Sequence, residues 1–89
     1  MALNNLGVAK MELGQLDEAD ALLKQAIALD DAYSIPYWNL GIIAAIQEDH
    51  EHSDRMLQKA EQLGYRNDSF DRTISRVASI YARIQSVPN

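Results

Sequence analysis

Cysteine is absent from the 89 residues, which excludes thiol catalysis, thiolate metal sites, redox switching and disulfide support while leaving the compartment open. No apolar run approaches the roughly 20 residues of a membrane-spanning helix. The opening stretch Met1-Ala2-Leu3-Asn4-Asn5 lacks the basic flank and apolar core of a signal peptide. It enters an amphipathic pattern almost at once, as expected of a piece cut from a longer protein. Basic residues are scarce: 8 stand against 13 acidic ones, for a formal charge of −5. The imbalance is local. Residues 1–64 hold Lys10, Lys24, Arg55 and Lys59 against 11 acidic groups, net −7, whereas residues 65–89 hold four arginines against Asp68 and Asp71, net +2. A body of that sign repels phosphate, so neither nucleic acid nor an anionic membrane surface is an expected partner, and no direct membrane insertion is expected.

At 47% hydrophobic and 24% charged, the composition is that of a single globular domain whose small core needs further support. There is no glycine-rich phosphate loop and no nucleophile elbow, and no histidine is placed near an obvious nucleophile and orienting acid. No enzyme activity and no cofactor are therefore expected. The segment Glu48-Asp49-His50-Glu51-His52 invites a metal reading, but two histidines at i, i+2 do not share a helix face, and a solvated turn is the expectation.

What is present is a repeat. Shifting the chain by 34 places Asn5-Leu6-Gly7 on Asn39-Leu40-Gly41, Asp20 on Asp54, Leu23 on Leu57, Ala26 on Ala60 and Leu29 on Leu63, seven identities in one register. Leu22 also falls over Met56 and Ala19 over Ser53. The matches recur at helical and not strand spacing, so each unit is built of helices. Gly14-Gln15 and Glu48-Asp49 break the units in the middle, Asp17 and Glu18 place acids in a first turn, and Gly64 stops the fourth helix. Ser34 is the expected N-cap of the third helix, with Pro36 in its first turn. Asp68 with Asp71 resembles a capping box for a fifth, which Val87-Pro88 ends. These signals predict helices near 2–13, 17–29, 35–47, 51–63 and 69–86, and no strand.

The residues at these positions resemble the tetratricopeptide repeat, whose signature of about 34 residues reads W-x2-L-G-x2-Y, then A-x3-F, then a small residue and proline. Repeat one offers Leu3, Leu6-Gly7, Lys10, Ala19, Leu23, Ala26 and Asp31; repeat two offers Tyr37, Leu40-Gly41, Ala44, Ser53, Leu57, Ala60 and Tyr65. Leu13-Gly14-Gln15-Leu16-Asp17-Glu18-Ala19 resembles the family's interhelix turn. Both closing prolines are missing, Lys10 replaces the aromatic, and Glu48 replaces the turn glycine. The resemblance implies an all-α, right-handed α-solenoid of antiparallel helix pairs with five helices: repeat one about 1–33, repeat two about 34–67, and a capping helix about 68–86. Small residues at Gly7, Gly41, Ala19, Ala26 and Ala60 permit close packing, with Leu23, Leu29, Leu57 and Leu63 presented to neighbouring helices as core.

One helix is apolar on two sides. In Tyr37-Trp38-Asn39-Leu40-Gly41-Ile42-Ile43-Ala44-Ala45-Ile46, the helical wheel places Tyr37, Leu40, Gly41 and Ala44 on one face and Trp38, Ile42, Ala45 and Ile46 on another. The resemblance assigns the second face to a concave groove, beside Val8 and Met11. Each such side chain left in water forgoes about 1.5–3 kcal/mol of burial, so something must cover them: the fifth helix, neighbouring repeats, a partner, or a second copy. On the fifth helix, Arg72, Arg76 and Arg83 form a line, and Phe70, Ile74, Val77 and Tyr81 should pack onto repeat two. The register puts Arg72 and Arg76 beside the groove, where some family members clamp a carboxylate. Here Asn4 and Val8 stand in place of that clamp's Lys and Asn, so chaperone-tail binding is not carried over. Asn5 and Asn39 are candidates to bond a peptide backbone or, alternatively, another helix.

The expectation is a non-catalytic protein-interaction module. Its groove is formed by Val8, Met11, Trp38, Ile42, Ala45 and Ile46 with Asn5, Asn39, Arg72 and Arg76, binds a peptide or helix, and uses Arg76 for orientation. The alternative is a structural homodimer through the same apolar face.

Overall fold

The computed structural model describes residues 1–86, and they form five helices: α1 (Ala2–Glu12), α2 (Leu16–Leu29), α3 (Ser34–Ile46), α4 (His50–Gln62) and α5 (Phe70–Gln85). Among the described residues there is no strand. Helices α1, α3 and α4 end in one backbone device. After α1, the Gly14 N–H donates to the Met11 carbonyl at 2.9 Å and the Gln15 N–H to the Lys10 carbonyl at 3.0 Å, a Schellman closure that requires a left-handed residue. Gly14 supplies it at φ 76°. After α3 the same pair of bonds runs from Glu48 to Ala45 and from Asp49 to Ala44, but the left-handed residue is Glu48 at φ 63°. There a Cβ crowds the backbone.

Two expected caps are corrected. The N-cap of α3 is Tyr33, with no side-chain bond, and Ser34 is already helical; the chain enters α3 held instead by the Tyr37 hydroxyl, which donates to the Asp31 carbonyl at 2.9 Å. The Asp68–Asp71 box does not form, because the N-cap of α5 is Ser69 and the helix starts only at Phe70; Asn67 Oδ1 accepts the Ser69 N–H at 2.8 Å just ahead of it. The expected stop at Val87-Pro88 lies outside the described residues.

Packing follows the repeat. The largest helix–helix contacts are within the pairs α1·α2 and α3·α4, and α2·α3 joins the two pairs. Gly41 shows why the register needs a small residue, since a Cβ there would lie 2.7 Å from Leu57 Cδ2. Close by, the Ser53 hydroxyl donates to the buried Gly41 carbonyl at 2.7 Å. The fifth helix packs on repeat two as expected, through α3, and also reaches beyond it. It packs chiefly on α3 and α1 rather than on α4, to which it is joined. Its far end reaches repeat one, where Ile80, Ile84 and Tyr81 close around Gly14. Two leucines in the repeat register are also not core: Leu29 is 79% exposed and Leu6 48%.

The turns predict opposite outcomes for one type of change. Glu48→Gly should raise stability by about 1 kcal/mol by removing the left-handed Cβ penalty. Gly14→Ala should lower it by a similar amount or more, since it adds a Cβ at φ 76° that also lies 3.4 Å from the Tyr81 backbone and 3.0 Å from Ile80 Cγ2; urea denaturation of both variants checks this. Tyr37 gives a pH prediction. Burial first, then the charges of Asp31 and Asp30, raise its pKa above the ordinary tyrosine value. Its contribution is therefore complete below about pH 10 and is lost as pH rises through the raised folded value. Stability of the wild type should fall more steeply above that pH than stability of Tyr37→Phe, and parallel curves would refute the assignment.

Candidate functional site

The face expected to be an open groove is closed by the chain itself. Trp38 is 9% exposed, Met11 1% and Ile42 0%. The cover is α5 and the connection before it. Tyr65 meets the Trp38 indole edge-on at 5.6 Å between ring centroids, and Phe70 meets it edge-on at 6.3 Å. Val77 is fully buried, and Phe70, Ile74 and Tyr81 pack on the same cluster as Met11, Trp38, Ile42 and Ile46. An α5 placed beyond the second repeat would leave the concave wall wet; laid across α1 and α3, it buries both its own stripe and theirs.

An ion pair fixes the far side of this contact. Arg76 donates from Nε to Glu12 Oε2 at 3.1 Å and from Nη2 to Glu12 Oε1 at 2.6 Å, the fork geometry that orients a guanidinium. The expected role of Arg76 is thus corrected: it belongs to the helix that fills the groove, and Glu12 is the groove residue that orients it. Arg72 is exposed, and among the described residues neither it nor Arg83 forms an ion pair.

The remaining candidates divide by exposure. Val8, Ala45 and Ile46 are half-buried, and Asn5 is exposed. Asn39 is not available to a peptide, because its Nδ2 donates to Asn4 Oδ1 at 3.2 Å in a buried bond between α3 and α1. That satisfies two side chains that would be costly to bury unpaired. Beside the cover lies a shallow depression of about 250 Å³ bordered by Trp38, Tyr65, Phe70, Glu61, Arg66 and Asp68. Among the described residues no group of three or more His, Cys, Asp or Glu converges to hold a metal. His50 opens α4, and the His52 N–H donates to the capping Asp49 carboxylate at 3.2 Å.

Sequence reasoning missed Glu12 and Asn4. The first left a signal, since Glu12 stands where repeat two has the groove residue Ile46. Asn4 left the same kind of signal, since it stands where repeat two has the groove residue Trp38.

The fold defined by these helices is an all-α stack of helix pairs. Residues 1–29 match the family model of the tetratricopeptide repeat. The match supports a tetratricopeptide repeat in the α1–α2 pair, and five helices are consistent with two such repeats and a capping helix. No curated protein and no solved structure gives a significant match. Tetratricopeptide repeats generally mediate protein–protein interaction and are typically non-catalytic. No helix among the described residues is long and apolar enough to cross a membrane.

Alanine substitution at Glu12, at Arg76 and at both should give a coupling energy of about 0.2–1 kcal/mol, modest because the pair is partly solvated. Trp38, the single tryptophan, reports the unfolding in urea. Zero coupling would show that apolar contacts alone hold α5.

Proposed function

We propose that this chain is a non-catalytic protein-interaction module. The concave wall of α1 and α3, formed by Val8, Met11, Trp38, Ile42, Ala45 and Ile46, receives an amphipathic helix of a partner protein in the place α5 takes here. Repeat one spans about 1–33, repeat two about 34–67, and α5 within 68–86 serves as cap and as internal occupant. The observation that carries this reading is α5 itself: it is seated in the groove by an apolar stripe at i, i+4, i+7, i+11 and a single cation. That is the helix-in-groove mode of recognition. The partner helix that fits carries apolar residues at the spacing of Phe70, Ile74, Val77 and Tyr81, and a basic residue opposite Glu12. Asn5, Arg72 and Arg76 are exposed, the two arginines on α5 itself, whereas Asn39 is committed to Asn4. Self-association through this same face requires α5 to leave it first, and no observation favours it.

The test loosens α5 and supplies a helix from outside. Val77→Asp places a charge where the wild type is fully buried, releasing α5 from the wall. A synthetic peptide of residues 68–86, added to that variant, should bind saturably and shift Trp38 emission to the blue. Adding Ile42→Glu should abolish the shift. If the variant keeps its helical circular dichroism and the peptide leaves Trp38 unmoved, the groove is not a helix-binding site.

A further inference from the structure

Every arginine after residue 64 has the same companion. Arg66, Arg72, Arg76 and Arg83 are each followed three positions on by a serine: Ser69, Ser75, Ser79 and Ser86. The other serines, Ser34 and Ser53, have Asp31 and His50 three positions ahead of them, so the pairing belongs to this segment alone. Helical geometry makes residues i and i+3 neighbours on one face. That accounts for the proximity of each pair but not for the recurrence of serine. Within α5, Ser75 and Ser79 are exposed. At about 100° per residue they stand on the side opposite the buried Val77, about 40° from each other, with the arginines flanking them. The Ser79 hydroxyl is engaged only within the helix, donating to the Ser75 carbonyl at 2.9 Å.

We infer that Ser79, with Ser75 beside it, is a phosphorylation site for a serine kinase whose acidic pocket selects an arginine three residues ahead, and that the phosphate loosens α5 from the groove. The Ser79 hydroxyl oxygen bonds to the γ-phosphorus of ATP, the bond from that phosphorus to the bridging oxygen of ADP breaks, ADP leaves, and the hydroxyl proton passes to the kinase's base. The consequence follows from charge. Helix α5 carries Arg72, Arg76 and Arg83 against Asp71, net +2, and lies on a body of residues 1–64 at net −7. Each phosphate brings about −1.5 to −2, so one cancels the charge of α5 and two reverse it. A phosphate on Ser79 also stands three residues after Arg76 and four before Arg83, within reach of both. It therefore competes for the guanidinium that now donates to Glu12 at 3.1 and 2.6 Å, and it repels Glu12 itself. The inference rests on the observed seat of α5 and needs no partner helix, so failure of the added peptide to bind would leave it standing.

The experiment has two arms, both on the intact chain. In the first, the chain is incubated with MgATP and the catalytic subunit of cyclic-AMP-dependent protein kinase, a kinase that selects arginine ahead of serine, and the modified positions are read by mass spectrometry. Phosphate is expected on Ser79 and Ser75 and not on Ser34 or Ser53. Arg76→Gln should remove most of the label on Ser79, although it also frees α5 from Glu12. In the second arm, phosphoserine is installed at position 79 during translation and amide hydrogen exchange is followed in α5. Exchange at low salt should be about threefold faster or more with the phosphate than without it. In 1 M salt, where charges are screened beyond about 3 Å, most of that difference should vanish. Phosphate on neither Ser75 nor Ser79 overturns the inference. So does exchange in α5 that the phosphate leaves unchanged, or that it speeds equally at both salt concentrations, since the effect is then not electrostatic.

Discussion

The structure depends on covering α3. Nine of its 13 residues are buried, a fraction that one neighbouring surface cannot provide for a single helix. α4 covers the side that Gly41 opens, α1 and α2 cover the side marked by Asn39, and α5 covers the side of Trp38 and Ile42. Each is a different solution to the same hydrophobic demand. At ~1.5–3 kcal/mol for each large side chain, leaving any one side wet removes a sizeable part of the ~5–15 kcal/mol that stabilises a typical domain.

This explains why α5 lies where it does. A capping helix that packs only on the last pair shields one end of a stack, and its other requirements are solubility and polarity. Here the last pair presents a second unmet demand, the indole of Trp38 with Met11 and Ile42 behind it. The connection through Tyr65 lets the chain meet that demand first with a tyrosine and then with Phe70. The line of arginines on α5 is the solvated back of the same helix, with Arg76 bent to Glu12 at its edge. The basic segment thus lies across the acidic body from which it is separated in sequence.

Much of this was legible in the sequence because it is periodic. The 34-residue register and the start and stop residues placed every helix to within one residue of its observed ends, and the helical wheel with the family resemblance identified Trp38, Ile42 and Met11 as one cluster that needs a cover. What covers the cluster was not legible. The stripe Phe70, Ile74, Val77 and Tyr81 is equally suited to the end of a stack or to its inner wall, and the deciding pair, Glu12 with Arg76, is separated by 64 positions. Caps were misread by one residue, since α3 begins at Ser34 itself and α5 is capped at Ser69 and not Asp68. Leu29 was misread for another reason: periodicity identifies a face made for burial but carries no sign of whether a neighbour is there.

Helix α5 also changes how the chain reaches and leaves its folded state. In a simple stack each pair touches only the next, so ends fray and order spreads along the line. Here a helix from the end of the chain closes on the first turn of its beginning, around Gly14. The stack becomes a loop of contacts rather than a row. Such closure exchanges some speed of folding, through its long sequence separations, for concerted melting in which neither pair opens alone.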